Sequence, residues 1–305
     1  MERREFLKKT LAIGVGAGVL FLPKCVRGVV AKAFAEESQP DLVALKGSSP
    51  ETMFDRGIAS LGGMGRFVKS GQTVLIKPNI SWDVDVTGAA TTNPGLIGRI
   101  IKHCLDAGAR SVYVMDHSIE YWERTLENSG IGAALREAGG VYAHAEDVKY
   151  YRTVDVKGTT LKTTQVHEAW LESDVLINVP ILKHHGGTSV SAAMKNLMGC
   201  VWNRREYHSK GLQSCIADFL SVRKPDLNVV DAYRVLTRNG PRGGSPKDVV
   251  DMQTQIISPD IVAADAASVR MMGREPSDIT HIRLAGQAGF GQIDLTKLKI
   301  ERLTL

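Results

Sequence analysis

Short apolar runs alternate with helically spaced segments along most of the chain. That alternation restricts it to the α/β class more firmly than any other feature. Residues 42–45, 73–77, 111–115, 174–179 and 227–230 each read as a buried strand of the length a parallel sheet uses. Residues 51–61 and 94–107 carry apolar side chains at a 3.6-residue period, with Leu96, Ile97, Ile100, Ile101 and Leu105 on one face. Residues 73–115 thus make a βαβ unit, whose crossover is expected to be right-handed. Further helices are expected over 122–138 with a break at Gly130, over 191–198, 208–222, 261–272 and 277–288, and a strand over 250–257. Residues 152–156 and 161–165 alternate about Lys157-Gly158, which predicts a hairpin. Residues 239–244 predict a long turn acting as a mobile lid. The expected fold is a single Rossmann-like, mostly parallel sheet with helices on both faces and a small hairpin lobe.

The N-terminus reads differently. Arg3-Arg4-Glu5-Phe6-Leu7-Lys8 precedes a Gly-rich apolar run over 11–22, too short for the ~20 residues that span a bilayer. This is the pattern of a twin-arginine export leader, read by the export machinery and placing the protein in the periplasm or otherwise outside. Small residues at Ala33 and Ala35 predict cleavage near Glu36; an uncleaved anchor is the competing reading. Residues 36–305 then form the α/β domain. The leader also carries the charge: residues 1–35 hold seven basic and two acidic residues, which leaves 31 of each in 36–305. The basic balance of the whole chain therefore gives no nucleic-acid footprint. No later run is long and apolar enough to span a membrane.

Three cysteines lie beyond the leader, Cys104, Cys200 and Cys215, with no Cys-x-x-Cys pair. The pattern supports neither an iron–sulfur cluster nor a zinc ribbon. An oxidising compartment permits one disulfide, Cys200 and Cys215 being closest in sequence; small buried hydrophobes are the plainer reading. Neither a Gly-x-Ser-x-Gly elbow nor a Walker loop appears, and Gly14, Gly16 and Gly18 fall inside the leader.

Open α/β sheets place their sites at the C-terminal ends of strands, and four polar clusters stand there. The first is Lys77-Pro78-Asn79: an anion-binding lysine with an orienting asparagine, or a strand-end lysine paired to a carboxylate. The second is Asp116-His117, able to bind metal or move a proton, or simply a solvated turn. The third and strongest is Lys183-His184-His185-Gly186-Gly187, continuing to Ser191, Lys195 and Asn196. Here cations gather, glycines permit close approach, and the N-terminal amides of the following helix could hold an anion. Ser191 and Lys195, four apart, would share a helix face, and Asn196 needs a defined partner. A basic surface loop is the competing reading. The fourth cluster is Asp231, with Asp265 on a helical first turn; either could cap structure or complete a metal shell.

The segments Val74–Asn79, Asn178–His184, Ala193–Gly199, Lys224–Asp231, Asn239–Pro241 and Asp260–Asp265, in that order, resemble the domain of unknown function 362 family. The resemblance implies a single α/β domain and no known reaction. Some members carry a ferredoxin module with clustered cysteines, which this chain lacks. The family's Lys-x-His is here Lys183-His184-His185, so either histidine can take that place. A looser likeness, of fold level only, is to nickel-pincer lactate racemases.

The expected function is an exported enzyme with a basic cleft for a small anionic substrate. Lys183, His184 and Lys195 would be catalytic, and Lys77, Asn79, His185 and Asn196 would bind substrate. A metal or organometallic cofactor would draw on Asp116, His117, Asp231 and Asp265. A non-catalytic periplasmic ligand-binding or accessory protein is the alternative.

Overall fold

Residues that favour a helix start mark where the helices begin. In the computed structural model, which describes residues 39–305 apart from Gly244, β1 (Leu42–Lys46) leads into α1 (Pro50–Ser60). Ser49 caps α1 by accepting from the Thr52 amide, and Pro50 fills the first turn, where no amide is needed. After β2 (Thr73–Pro78), the same device recurs. Asn93 accepts from Gly95 and Leu96, and Pro94 opens α2 (Pro94–Asp106). The leader expected over residues 1–35 and the cleavage point near Glu36 lie outside the described residues.

The chain continues through β3 (Ser111–Val114), α3 (Trp122–Asn128), α4 (Ile131–Ala138) and β4 (Val141–Tyr142). Next come the antiparallel pair β5 (Tyr151–Asp155) and β6 (Thr163–His167), then α5 (Glu168–Glu172), β7 (Val175–Val179), β8 (Ile181–His185) and β9 (Ser189–Ser191). The remainder is α6 (Ala193–Asn196), α7 (Arg204–Lys210), α8 (Leu212–Phe219), β10 (Leu227–Leu236), β11 (Val249–Ser258), α9 (Ile261–Met271), α10 (Thr280–Gln287) and β12 (Ile300–Thr304). The sheet order is β12-β1-β11-β10-β7-β2-β3-β4, with β8 joined to β10 and β9 to β8. Parallel pairings outnumber antiparallel ones six to three, so the sheet is largely parallel as expected. The β5–β6 hairpin stands apart from it.

Strand alternation divides the apolar residues between two cores. Val74, Ile76, Val112, Val114, Ile177 and Val229 meet α1, α2 and α4 on one face. Leu75, Leu176, Val230 and Ile256 meet α8, α9 and α10 on the other. Helices therefore cover both faces.

Several expected boundaries move. The helix expected over 208–222 is two helices, divided at Gly211, whose φ of 119° suits glycine. The helix expected from Ser191 is only α6, followed by a 3₁₀ turn over Leu197–Cys200; Ser191 belongs to β9. The basic surface loop considered for the Lys183 cluster is, over Ile181–His185, the strand β8. Cys104, Cys200 and Cys215 are buried free thiols, so the Cys200–Cys215 disulfide does not form. Burial pushes the first two up to about 12. No helix among the described residues is long and apolar enough to cross a membrane.

Candidate functional site

The strand order reverses between β2 and β7, because β3 and β4 extend to one side while β10 and β11 extend to the other. Ligand sites of open sheets form at such a point. Registered neighbours there share a face. Lys77 lies beside Asn178, Asn178 beside Asn228, and Asn228 beside Ser258. This polar row lies on the same face as Leu75, Leu176, Val230 and Ile256, and all four of its residues are fully buried.

Polar side chains survive there because each amide is satisfied. Lys183 Nζ donates to Asn79 Oδ1 at 3.1 Å, and Asn79 Nδ2 donates to Asn196 Oδ1 at 3.0 Å. Asn196 Nδ2 donates to Asn178 Oδ1 at 2.9 Å, Asn178 Nδ2 to Asn228 Oδ1 at 3.1 Å, and Asn228 Nδ2 to the Ser258 carbonyl at 3.2 Å. Every member accepts with oxygen and donates with nitrogen in one direction. An orphaned amide here would cost about 1–3 kcal/mol.

Lys77 closes the other end of the row. Its Nζ lies 2.8 Å from Asp116 Oδ1 and donates to the Pro78 carbonyl at 2.6 Å. Asp116 Oδ2 accepts from the Ile80 amide at 2.6 Å and the Ser81 hydroxyl at 3.3 Å. The pair is packed against Gly199. A Cβ at that position would stand 1.9 Å from Asp116 Oδ1 and 2.7 Å from Lys77 Nζ. Glycine is required there for space, not for φ.

Asp265 on α9 positions α6. Its carboxylate accepts from the Ala193 amide and, at 3.1 Å, from the Met194 amide. Those are the amides expected to hold an external anion, so the protein's own carboxylate occupies that position. Burial pushes Asp265 up to about 7. The cap fixes the short helix that presents Lys195 and Asn196.

Because Lys183-His184-His185 is a strand, its side chains alternate. Lys183 and His185 face a cleft of about 910 Å³; His184 does not line it. His184 Nδ1 instead accepts from the Gly240 amide at 3.2 Å. The turn expected as a lid is tied down there. It is tied again by Asn239 to Asp248 at 2.8 Å and by Arg242 to Glu120 at 2.9 Å, and Pro241 reaches the cleft wall. The remaining wall includes Asn79, Ser191, Lys195, Asn196, Trp202, Arg204, Arg205 and His208. Four lysines and arginines and two histidines line the cleft, with no carboxylate among the lining residues.

Burial first, and that imbalance second, set the protonation states. Burial, with Lys195 and Lys77 nearby, brings Lys183 down to about 7. Lys195 is brought down to about 8 by burial and then by Arg204 and Lys77. His185 falls to about 3 through burial and the two lysines, so it is neutral at pH 7. Its Nδ1 accepts from the Gly187 amide at 3.0 Å, which puts the ring proton on Nε2. Such a wall can bind an anion and keep one amine partly unprotonated.

The structure thus brings together Lys183, Lys195, Asn79, Asn196 and His185. Lys77 and His184 stay behind the wall, held by Asp116 and Gly240. The four residues considered for a metal do not converge. Asp116 is bound to Lys77. His117 Nδ1 contacts the Val201 carbonyl at 3.0 Å, and its ring stacks on Trp202. Asp231 accepts from the Asn93 and Tyr233 amides at 2.8 and 3.1 Å, bracing the start of α2. Asp265 caps α6. Among the described residues no group of three or more His, Cys, Asp or Glu is arranged to hold a metal. These residues do not fit a metal centre.

Sequence reasoning missed Arg204, Arg205, His208 and Trp202. Arg204 and His208 are four apart on α7, a spacing that was legible. Arg204 also donates to the His117 and Ser118 carbonyls at 2.6 and 3.0 Å, joining α7 to the loop after β3.

Comparison with known proteins agrees with the sequence motifs. A thylakoid-associated protein of Synechocystis sp. is 25% identical over 227 residues, covering 72% of this chain and 68% of that protein. The lactate racemase apoprotein from Thermoanaerobacterium thermosaccharolyticum aligns with a TM-score of 0.49 at 10% identity, over 80% of this chain and 58% of the racemase. A Thermotoga maritima protein aligns with a TM-score of 0.47 at 12% identity, over 79% of this chain and 60% of that one. The chain therefore spans less than two thirds of either solved structure. The family model described as Domain of unknown function (DUF362) matches residues 74–270, and the chain belongs to that family.

Proposed function

We infer that this protein is an enzyme acting on a small anionic substrate, exported by the twin-arginine route. The observation that carries the reading is the cleft wall of four Lys or Arg and two His without a carboxylate. Cations gathered in a partly desolvated wall repel one another, and an anion relieves that repulsion. The permanent charges of Arg204 and Arg205 hold the anion. Lys183 and Lys195, drawn toward neutrality, supply groups that change protonation near pH 7.

Calorimetric titration with small carboxylates, phosphate and neutral sugars tests the binding step. Saturable binding of an anion, weakened by added salt and by Arg204→Ala, is expected. Failure of every anion to bind would remove the reading, and binding with no chemical change to any bound anion would favour a ligand-binding protein. Metal content of protein from its native host checks the cofactor-dependent form of the reading. Export is checked by following the chain with Arg3→Lys and Arg4→Lys together. Retention of the variant inside the cell is expected, and unchanged export would sink the leader assignment.

A further inference from the structure

Two lysine amines meet in the cleft, and their surroundings differ. Lys183 is 1% exposed, and its Nζ donates to the Ala90 carbonyl at 2.6 Å and to Asn79 at 3.1 Å. Lys195 is partly buried and lines the cleft, and its amine has no hydrogen-bond or ion-pair partner among the described residues. It projects from a helix that is fixed at one end by Asp265 and at the other by Asn196 in the amide chain. Its backbone is therefore fixed while its nitrogen is free.

An ammonium serving only to hold an anion gains nothing from losing its proton. Arg204 and Arg205 already provide guanidinium charge. What a partly desolvated, unpartnered amine among cations gains is nucleophilicity. We propose that Lys195 forms an imine with an anionic carbonyl substrate of the 2-oxo acid class, whose carboxylate is held by the arginines of α7. This rests on the cleft being the anion site.

The chemistry balances without an oxidant or a second substrate. The neutral Lys195 amine adds to the carbonyl carbon, forming the C–N bond and moving the C=O π electrons onto oxygen. The oxygen then leaves as water with the two amine hydrogens, and the C=N bond remains. His185, neutral with its proton on Nε2, offers an N–H to oxygen from the same wall. A proton on the imine nitrogen makes it a sink for electrons released at the neighbouring carbon. The lowered Lys195 supports this order of events: at pH 8 its free-amine fraction exceeds that of an ordinary lysine by about two orders of magnitude.

Reductive trapping tests the assignment. The intact protein is incubated with pyruvate or glyoxylate and cyanoborohydride at pH 8, and modified lysines are located by peptide mass spectrometry. Labelling of Lys195 at least about tenfold above that of the exposed Lys102 is expected. It should be suppressed by excess acetate and lost in Lys195→Arg, which keeps charge and length. Calorimetric binding of acetate is measured on both proteins, and a thermal melt confirms that Lys195→Arg is folded. Acetate binding with Lys195 labelled no more than Lys102 overturns the imine and leaves the anion cleft standing. Preferential labelling of Lys183 overturns the choice of lysine. Absence of both binding and selective labelling overturns the cleft reading together with the imine.

Discussion

Lys77 donates to Asn196 at 3.4 Å and Lys195 precedes Asn196 in the chain, yet the surroundings of the two lysines are opposite. Lys77 belongs to a seam in which every group is answered. Asp116 takes its charge, and five successive donors from Lys183 to Asn228 each find an acceptor. Lys195 belongs to a wall that gathers four cations and no carboxylate, with Asp116 acting on it only from behind. Buried polarity is thus no mark of function by itself, since the most deeply buried polar residues here hold the sheet ends together. What marks the cleft is incompleteness: cations without anions, and an amine without a partner.

The largest effect should come from breaking the seam where it is charged. Asp116→Ala leaves Lys77 buried without its carboxylate and should cost about 3–5 kcal/mol in urea unfolding. Gly199→Ala should destabilise by a related route, because its Cβ displaces the same pair. A loss below about 1 kcal/mol in Asp116→Ala would place Lys77 nearer the cleft than the seam. Next in size, Asn178→Ala orphans Asn196 on one side and Asn228 on the other. About 1–3 kcal/mol is expected, with anion binding retained, since Asn178 does not line the cleft.

Much of this organisation was legible in the sequence, unevenly. Apolar runs such as residues 73–77 and 174–179 reported their strands because both faces of those strands are buried. The strand-end rule also found four of the side chains that meet in the cleft without any geometry: Lys183, Lys195, Asn79 and Asn196. What could not be read was orientation. Whether His184 or His185 faces the cleft depends on 181–185 being a strand, and that follows from pairing with β10 and β9. A carboxylate's role was left open between two readings. Asp231 and Asp265 could cap structure or bind a metal in one dimension, and the amides they meet, from Asn93 and Ala193, select the cap.

Proton linkage gives a third, smaller test. Lys183 falls from an ordinary value near 10.4 to about 7, and Lys195 to about 8. Across that window the unfolded chain binds more protons than the folded one, so stability rises with pH from about 7 toward 10. Asp231 and Asp265 are raised to about 6 and about 7 by burial. The folded state keeps protons that the unfolded chain has released, so their contribution falls as pH climbs from about 4 to 7. His185 and His281, both lowered to about 3 by burial, act the other way between about 3 and 6.5, so the rise above neutrality is the clearer signal. In Lys183→Met, the urea midpoint should lose part of its rise between pH 7.5 and 9.5; an unchanged slope would mean that Lys183 keeps its proton in the fold.

The smallest stability effect should come from the residue with the greatest chemical consequence. Lys195→Met removes an amine that has no partner, suffers desolvation and is repelled by Arg204 and Lys77. Nothing is orphaned by its loss, and methionine fills much the same length, so stability should move by less than about 0.5 kcal/mol or rise slightly. Lys77→Met should cost several times more, because it strands Asp116. Anion affinity should follow the reverse order, falling in Lys195→Met and holding in whatever Lys77→Met remains folded. The two variants therefore form a cross, with stability lost on one side and binding on the other. If both lose stability equally, Lys195 belongs to the seam, and the division between an answered interior and an unanswered wall collapses at its most specific residue.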